Sequence, residues 1–184
     1  MNNSGLQKLV TELPDHVLLQ AIKSYVYELG LDGNLEKALL LLEELRKLPS
    51  IQSFIVELSC YLTGRFACRG NLERALEIYG NMADDDKFLQ EKIKAANILI
   101  GVLLPDQVQK AWEIWNAFTK NPIPQNCQWH WAKCGVMLLE YCDQSANPDL
   151  AEKIFYNLKR CANSEIASTF RIEAEKIMRR LSFN

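Results

Sequence analysis

The chain has 184 residues, of which 48% are hydrophobic and 24% are charged. This length and apolar content suit one domain, or a short array of repeats, with a sizeable core, and they exclude a disordered, collagen-like or disulfide-dense protein. The 21 basic and 23 acidic side chains give a formal charge of −2, which disfavours a protein that coats nucleic acid.

The sequence carries no signal for secretion or membrane insertion. Residues 1–5 lack a basic start followed by an apolar run. The densest leucine run, residues 39–42, is far shorter than the about 20 apolar residues that a bilayer requires. The six cysteines form no Cys-x-x-Cys pair and fall mostly in helical apolar patterns, where a reduced thiol behaves as a small hydrophobe. We therefore expect a reduced, cytoplasmic protein without a membrane span.

One short pattern recurs along the chain. It is centred on an alanine, at Ala38, Ala75, Ala111 and Ala151, with a bulky apolar residue three and four positions later in each copy. Spacings of three and four residues place these side chains on one face of a helix. The small alanine would allow a neighbouring helix to approach closely, and the bulky residues would fill the space beside that contact.

Each copy opens with a helix start signal. Asn34, Asn71 and Asp106 are typical helix N-caps, and Pro148 suits a first helical turn. A glycine before each of the first two caps suits the turn that ends a preceding helix. The stretch before each copy is itself amphipathic with a helical period. Each copy is therefore predicted to be the second helix of a helix–turn–helix unit.

The chain is predicted to form a single all-α helical-repeat domain over residues 1–184. Four units are expected at about residues 15–48, 50–83, 86–119 and 125–161. An amphipathic helix over residues 164–182 would then cover the open end of the stack. No stretch shows the period-two alternation that is typical of strands.

The recurring pattern resembles the tetratricopeptide (TPR) repeat family and its pentatricopeptide relatives. The best copy, residues 70–79, has the turn glycine, Ala75 and the aromatic Tyr79 four residues later. Leu62 and Phe66 precede it where the family places a leucine and an aromatic residue. The chain departs from the family at the second small position, seven residues after the alanine, which is bulky in all four units. The resemblance implies a TPR-like right-handed superhelix.

The resemblance also implies a non-enzymatic protein–protein interaction module, such as an adaptor, a scaffold or a secretion or assembly chaperone. Its concave face, formed by the first helix of each unit, would bind a peptide or a partner helix. The candidate partner-binding residues are Lys23, Tyr27, Tyr61, Ile93, Asn97, Ile100 and Trp129. Only Lys23 matches the carboxylate clamp of chaperone-tail-binding members, so that clamp is not expected.

Two features of the first-helix face leave interpretations open. The apolar Ile93 and Ile100 indicate either an apolar groove or a face packed against the chain's own helices. Trp129 and Trp131 lie two residues apart and therefore point in roughly opposite directions. We expect one indole from this helix to contact one indole of the pair Trp112 and Trp115, and we expect Trp129 to be the exposed one.

RNA binding is the alternative function that the pentatricopeptide resemblance implies. In that family a polar residue of each first helix reads one base. The corresponding positions hold Ser24, Tyr61, Asn97 and Met137, of which two fit. An acidic chain with only four units would bind phosphates weakly. The last 35 residues are the only basic region, and a solvated surface is the first interpretation of it. Nucleic acid is therefore the less favoured partner.

One cluster has the residue types of a metal site. Cys127, His130 and Cys134 lie on one helical face, and thiolate and imidazole are good ligands for zinc or a softer metal. The spacing is not that of a zinc finger, and the neighbouring Trp131 is typical of a buried face. This remains a weak candidate, and no metal is predicted. Cys127 lies near a helix start, which could lower the pKa of its thiol.

No catalytic motif is present in the sequence. There is no phosphate-cradling glycine loop, no His-Glu-x-x-His and no Gly-x-Ser-x-Gly. A nucleophile would have to use His16 or His130, the two histidines, and neither has a recognisable catalytic context. The sequence predicts a protein that is not an enzyme and needs no cofactor.

Overall fold

The computed structural model describes residues 15–48, 51–104, 106–120, 123–145, 147–161 and 165–183, and within these ranges the chain is helical, with no strand. The nine α-helices within these described ranges are α1 Asp15–Leu31, α2 Leu35–Leu45, α3 Gln52–Cys68, α4 Leu72–Gly80, α5 Leu89–Leu103, α6 Val108–Asn116, α7 Gln125–Gln144, α8 Pro148–Cys161 and α9 Glu165–Phe183. Short 3₁₀ helices, Asp86–Phe88 and Ala117–Lys120, precede α5 and follow α6. The all-α prediction is confirmed.

The helices pack in a regular order. Each odd-numbered helix from α1 to α7 contacts the even-numbered helix that follows it and also the next odd-numbered helix. Each even-numbered helix also contacts the odd-numbered helix after it. This order places α1, α3, α5, α7 and α9 in one layer, which we call the first-helix layer, and α2, α4, α6 and α8 in a second layer.

The four repeated alanines lie in the second layer. Ala38, Ala75, Ala111 and Ala151 each have 0% of their surface exposed. Because an alanine projects only one methyl group, a neighbouring helix can come close at these points. The predicted burial of these four side chains is confirmed.

Two glycines make the turns between the helices of the first two units. Gly33 and Gly70 have φ angles of 85° and 79°, in the left-handed region that other residues avoid. Each ends the preceding helix, as predicted from the sequence.

The helix caps agree with the sequence only in part. The side-chain oxygen of Asn71 accepts the backbone N–H of Arg74 at 3.3 Å. Asn34 occupies the N-cap position of α2 but makes no side-chain cap. The expectation for Asp106 is wrong, because α6 begins at Val108 and its N-cap residue is Gln107.

A continuous apolar core runs between the two layers from α1 to α9. Its largest fully buried side chains include Trp115 of α6 and Trp131 of α7. Their rings stack with centroids 4.6 Å apart, which confirms the expected contact of one indole from each helix. At the end of the chain, α9 packs on α7 and α8 and buries Ala174 and Ile177. This helix therefore packs against both helices of the preceding pair.

Candidate partner-binding surface

The first-helix layer carries a row of large side chains. Each lies against a glycine of the neighbouring first helix, the one that comes before it in this layer. The three pairs are Tyr61 with Gly30, Ile98 with Gly64, and Met137 with Gly101. A Cβ atom added to Gly64 would lie 3.0 Å from Ile98 Cδ1, and one added to Gly101 would lie 3.5 Å from Met137 Cε. Gly30 and Gly64 therefore leave room for the side chains of the next first helix, whereas Gly101 has space for a methyl group beside Met137.

These pairs form a row across four first helices, because each of the first three helices carries a large side chain and a glycine at the same spacing. In α1, α3 and α5 a large side chain is followed three residues later by a glycine: Tyr27 and Gly30, Tyr61 and Gly64, Ile98 and Gly101. Each of these helices thus supplies one large side chain and one glycine that faces the large side chain of the next first helix. We call Tyr27, Tyr61, Ile98 and Met137 the apolar row. Our sequence analysis missed this large-x-x-Gly pattern, although it recurs at intervals of 34 and 37 residues.

The apolar row is accessible from one side of the layer. Ile98 has 38% of its surface exposed and Val102, one turn later, has 36%. Tyr27, Tyr61 and Met137 are half-buried. The rings of the two tyrosines lie 4.2 Å apart, and Tyr61 donates its hydroxyl hydrogen to the carbonyl oxygen of Tyr27 at 3.2 Å. The row is therefore held in place by packing within the chain.

Polar contacts tie α1 to α3 beside the two tyrosines. Lys23 donates to the Glu57 carboxylate, and this hydrogen bond raises the pKa of Lys23 against the opposing effect of desolvation. Arg65 and Arg69 donate to the carbonyl oxygen of Gly30 at 2.9 and 3.2 Å. Of the sequence-predicted binding residues, the structure brings Lys23, Tyr27 and Tyr61 together, with the Lys23 charge already paired.

Two of the predicted binding residues lie in the core. Ile93 and Ile100 are 1% and 0% exposed, so for them the apolar-groove interpretation is wrong and packing against the chain's own helices is correct. The exposed Ile98 precedes Ile100 by two residues, or about 200° around a helix, so the two point to opposite sides of α5. Asn97 is half-buried.

Trp129 is exposed, as predicted from its spacing to the buried Trp131. It has 42% of its surface exposed, and its ring meets Phe170 of α9 edge-on at a centroid distance of 5.9 Å. The ammonium of Lys133 lies 5.3 Å from the centroid of the same ring. His130 contacts the indole edge-on at 4.9 Å. The indole of Trp129 is therefore packed against neighbouring side chains on the surface of α7.

Both thiols of the Cys127, His130 and Cys134 cluster are buried. Desolvation raises the pKa of Cys127 and raises that of Cys134 to about 12. The hypothesis of a lowered thiol pKa at Cys127 is wrong, because burial outweighs the effect of the helix start. Desolvation, together with Lys94 and Lys133, lowers the pKa of His130. In the part of the chain that the structure describes, no three such side chains converge to hold a metal ion.

Two further candidates from the sequence remain, the basic C-terminal region and His16. In the basic C-terminal region, Arg180 pairs with Asp143 at 2.9 Å, and Arg160 donates to the carbonyl oxygen of Thr119 at 2.9 Å. The side chain of His16 lies outside the described residues. Among the described helices, none has a segment long and apolar enough to cross a membrane.

Comparison with known proteins adds no relative to these observations: no family model, no curated protein and no solved structure matches the chain significantly. The chain is an all-α protein in which paired helices pack in sequence. One surface feature of its first-helix layer is the apolar row.

Proposed function

We propose that this chain is a non-enzymatic protein–protein interaction module, of the adaptor, scaffold or assembly-chaperone kind, that binds a partner helix or peptide on the first-helix layer. The observation that carries the proposal is the apolar row. It places partly exposed aromatic and aliphatic side chains on α1, α3, α5 and α7, and grouped apolar side chains at the surface of a folded protein are typical of a binding site.

The spacing of the row suits an amphipathic helix lying across the layer. Packed helices have axes about 8–10 Å apart. Apolar residues at positions i and i+7 of a helix lie on one face and are about 10 Å apart along its axis. A partner helix with this pattern would place one apolar side chain on each first helix, which is the helix-in-groove mode of recognition.

Site-specific crosslinking tests this proposal. A photoreactive amino acid at Ile98 or Val102, incorporated in the native host, should yield one dominant crosslinked partner. The matched controls are Leu40 and Tyr156 in the second layer, which are 62% and 65% exposed and should yield no such species. Equal crosslinking from both layers, or none from Ile98 and Val102, would contradict the proposal.

A substitution separates binding from folding. Ile98→Asp should abolish copurification of the crosslinked partner while the far-UV circular dichroism of the protein is unchanged, because Ile98 is partly exposed. Leu40→Asp should retain the partner.

The RNA alternative is tested by single-stranded RNA binding at low salt. Two of the positions that would read bases, Tyr61 and Met137, are packed against Gly30 and Gly101, so we expect no base-specific binding.

A further inference from the structure

We infer that Arg65 and Arg69 of α3 bind a carboxylate of the partner segment, at the place where their two guanidinium groups meet the C-terminal end of α1. This inference rests on the proposed function and specifies the chemistry of the partner at the α1–α3 end of the apolar row. It gives a binding role to two arginines that the sequence analysis did not single out.

The two guanidinium groups meet at one backbone oxygen. Arg65 donates from Nη2 to the carbonyl oxygen of Gly30 at 2.9 Å, and Arg69 donates from Nη2 to the same oxygen at 3.2 Å. Because both hydrogen bonds end on one atom, the two nitrogens are no more than about 6 Å apart. Arg69 also donates to the carbonyl oxygen of Leu31 at 3.4 Å. Two full positive charges are therefore held at one point of the α1–α3 contact.

The end of α1 does not neutralise this pair of charges. The carbonyl groups at a helix C-terminus are equivalent to roughly −0.5 of an elementary charge, whereas each guanidinium carries a full positive charge. Neither arginine forms an ion pair with a carboxylate in the described ranges. The acidic residues nearest to Gly30 in sequence, Glu28 and Asp32, are both exposed and pair with neither arginine. The site thus has an excess of positive charge that a bound carboxylate would balance.

Both arginines keep hydrogen-bond donors for a ligand. A guanidinium has five N–H groups, and within the described part of the chain the hydrogen bonds of Arg65 and Arg69 all come from Nη2. Arg65 is half-buried, with its Nε buried and unpartnered, and Arg69 is exposed. A planar guanidinium can bind a carboxylate through two parallel hydrogen bonds. A carboxylate bound in this way to Arg69 would also lie close to the charge of Arg65.

The arginine pair adjoins the apolar row. Tyr61, one turn before Arg65 in α3, also lies against Gly30. The ring of Tyr61 packs on that of Tyr27 with centroids 4.2 Å apart. A partner segment lying along the row would therefore meet two aromatic rings and two guanidinium groups at its α1–α3 end. Aromatic and arginine side chains are the residues that dominate binding energy at protein interfaces.

The distribution of charge favours an acidic peptide over a nucleic acid. A nucleic acid requires a track of several cations along its phosphates, whereas the arginines concentrate two cations at one point. Lys23, which lies beside the two tyrosines, does not extend the site, because its ammonium is already paired with Glu57. One carboxylate on an otherwise apolar peptide face matches this arrangement.

Synthetic peptides test the inference directly. The probes are three fluorescein-labelled 18-residue helical peptides with leucines at positions i, i+3, i+4 and i+7, whose polar positions are Glu, Gln or Lys. Fluorescence anisotropy against the full chain should give a Kd for the Glu peptide at least about tenfold lower than for the Gln peptide. That preference should decrease as salt is raised from low to physiological concentration, because Arg69 is exposed.

A neutral double variant removes the two charges while keeping donors for the carbonyl oxygen of Gly30. Arg65→Gln with Arg69→Gln should weaken binding of the Glu peptide about tenfold and leave binding of the Gln peptide unchanged. The matched control, Lys37→Gln with Lys110→Gln, removes two exposed lysines of the second layer and gives the same change in net charge. This control should bind the Glu peptide as the parent does.

Chemical protection locates the bound peptide on the unaltered chain and does not depend on the folding of a variant. The arginine reagent p-hydroxyphenylglyoxal is applied with and without Glu peptide, and each modified site is quantified by mass spectrometry. At ten times its Kd, the Glu peptide should slow modification of Arg69 about tenfold. Arg179 of α9 is also exposed and should react at the same rate in both samples.

The outcomes separate this inference from the proposed function. The inference is overturned if the Glu and Gln peptides bind equally or the Glu peptide does not bind. It is also overturned if Arg69 is not protected, if a folded glutamine double variant behaves as its control, or if polyuridylate binds more tightly than the Glu peptide. The proposed function would still stand in these cases if the crosslinks from Ile98 map to a protein. Absence of those crosslinks would remove the proposed function itself.

Discussion

Trp115 and Trp131 stack with their ring planes 10° apart, and the indole N–H of Trp115 donates to the backbone carbonyl oxygen of Trp131 at 2.9 Å. Both side chains are fully buried. The pair joins α6 to α7 and so fixes the third unit against the fourth. The indole nitrogen of Trp131 has no hydrogen-bond partner among the described residues, so this side chain contributes through packing.

Trp115→Phe should lower the free energy of unfolding by about 1–3 kcal/mol, because it removes a buried hydrogen bond and part of a stacked pair. The neighbouring Trp112 is half-buried, and Trp112→Phe should cost less than about 1 kcal/mol. Urea unfolding followed by circular dichroism at 222 nm measures both. Equal costs would contradict the special role of the Trp115–Trp131 pair.

Two helical glycines should respond to alanine in opposite directions. A Cβ atom on Gly135 would lie 2.7 Å from Trp115 Cζ2 and 2.8 Å from Leu158 Cδ2, so Gly135→Ala should destabilise the protein by about 1–3 kcal/mol. On Gly101 the nearest atom would be Met137 Cε at 3.5 Å, an ordinary contact. Gly101→Ala should therefore stabilise the protein by about 0.5–1 kcal/mol. Thermal melting of the two variants tests the sign of each change.

The repeated alanines should not tolerate larger side chains. Ala75→Leu or Ala111→Leu adds three heavy atoms at a fully buried position and should cost about 1–3 kcal/mol of unfolding free energy through overpacking. Ala21 is an exposed alanine in the middle of α1, and Ala21→Leu should change stability by less than about 0.5 kcal/mol. Unchanged melting of both buried variants would show that the helices do not approach closely there.

Stability should decrease in alkaline solution because of the buried thiols. The pKa of Cys134 is raised to about 12 in the folded chain, whereas an unfolded cysteine has a pKa of about 8.5. The unfolded state therefore loses this proton first as pH rises, so stability is fully present below about pH 8.5 and decreases toward the folded pKa. The same direction holds for Cys142, whose pKa desolvation raises to about 11.

The variant Cys134→Ala isolates the contribution of this thiol. Its unfolding free energy should fall between pH 8 and pH 10 by about 2 kcal/mol less than that of the parent, as measured by urea unfolding at each pH. A parallel loss in both proteins would show that the thiol of Cys134 ionises equally in the folded and unfolded chains. The exposed Cys68 should react with a thiol reagent before unfolding, and Cys134 only afterwards.

The helical content, the buried alanines and the exposed Trp129 could be predicted because they depend on periodicity within one helix. Residues three or four apart share a face, and residues two apart point in opposite directions. Periodicity alone could not decide whether Ile93 and Ile100 line an apolar groove or pack against the chain's own helices. Both lie on the apolar side of α5, and only the packing of α5 shows that this side faces the chain's own core.

The order of helices and their amphipathic faces were therefore set by local spacing in the chain, since a helix forms from contacts between near neighbours in sequence. The contacts of the apolar row were decided by the tertiary structure alone. The members of the row are separated by 34 to 39 residues, and they meet only because consecutive first helices lie side by side at a particular offset along their axes. That offset depends on how all the side chains between the helices fit together, which no single segment of the sequence specifies.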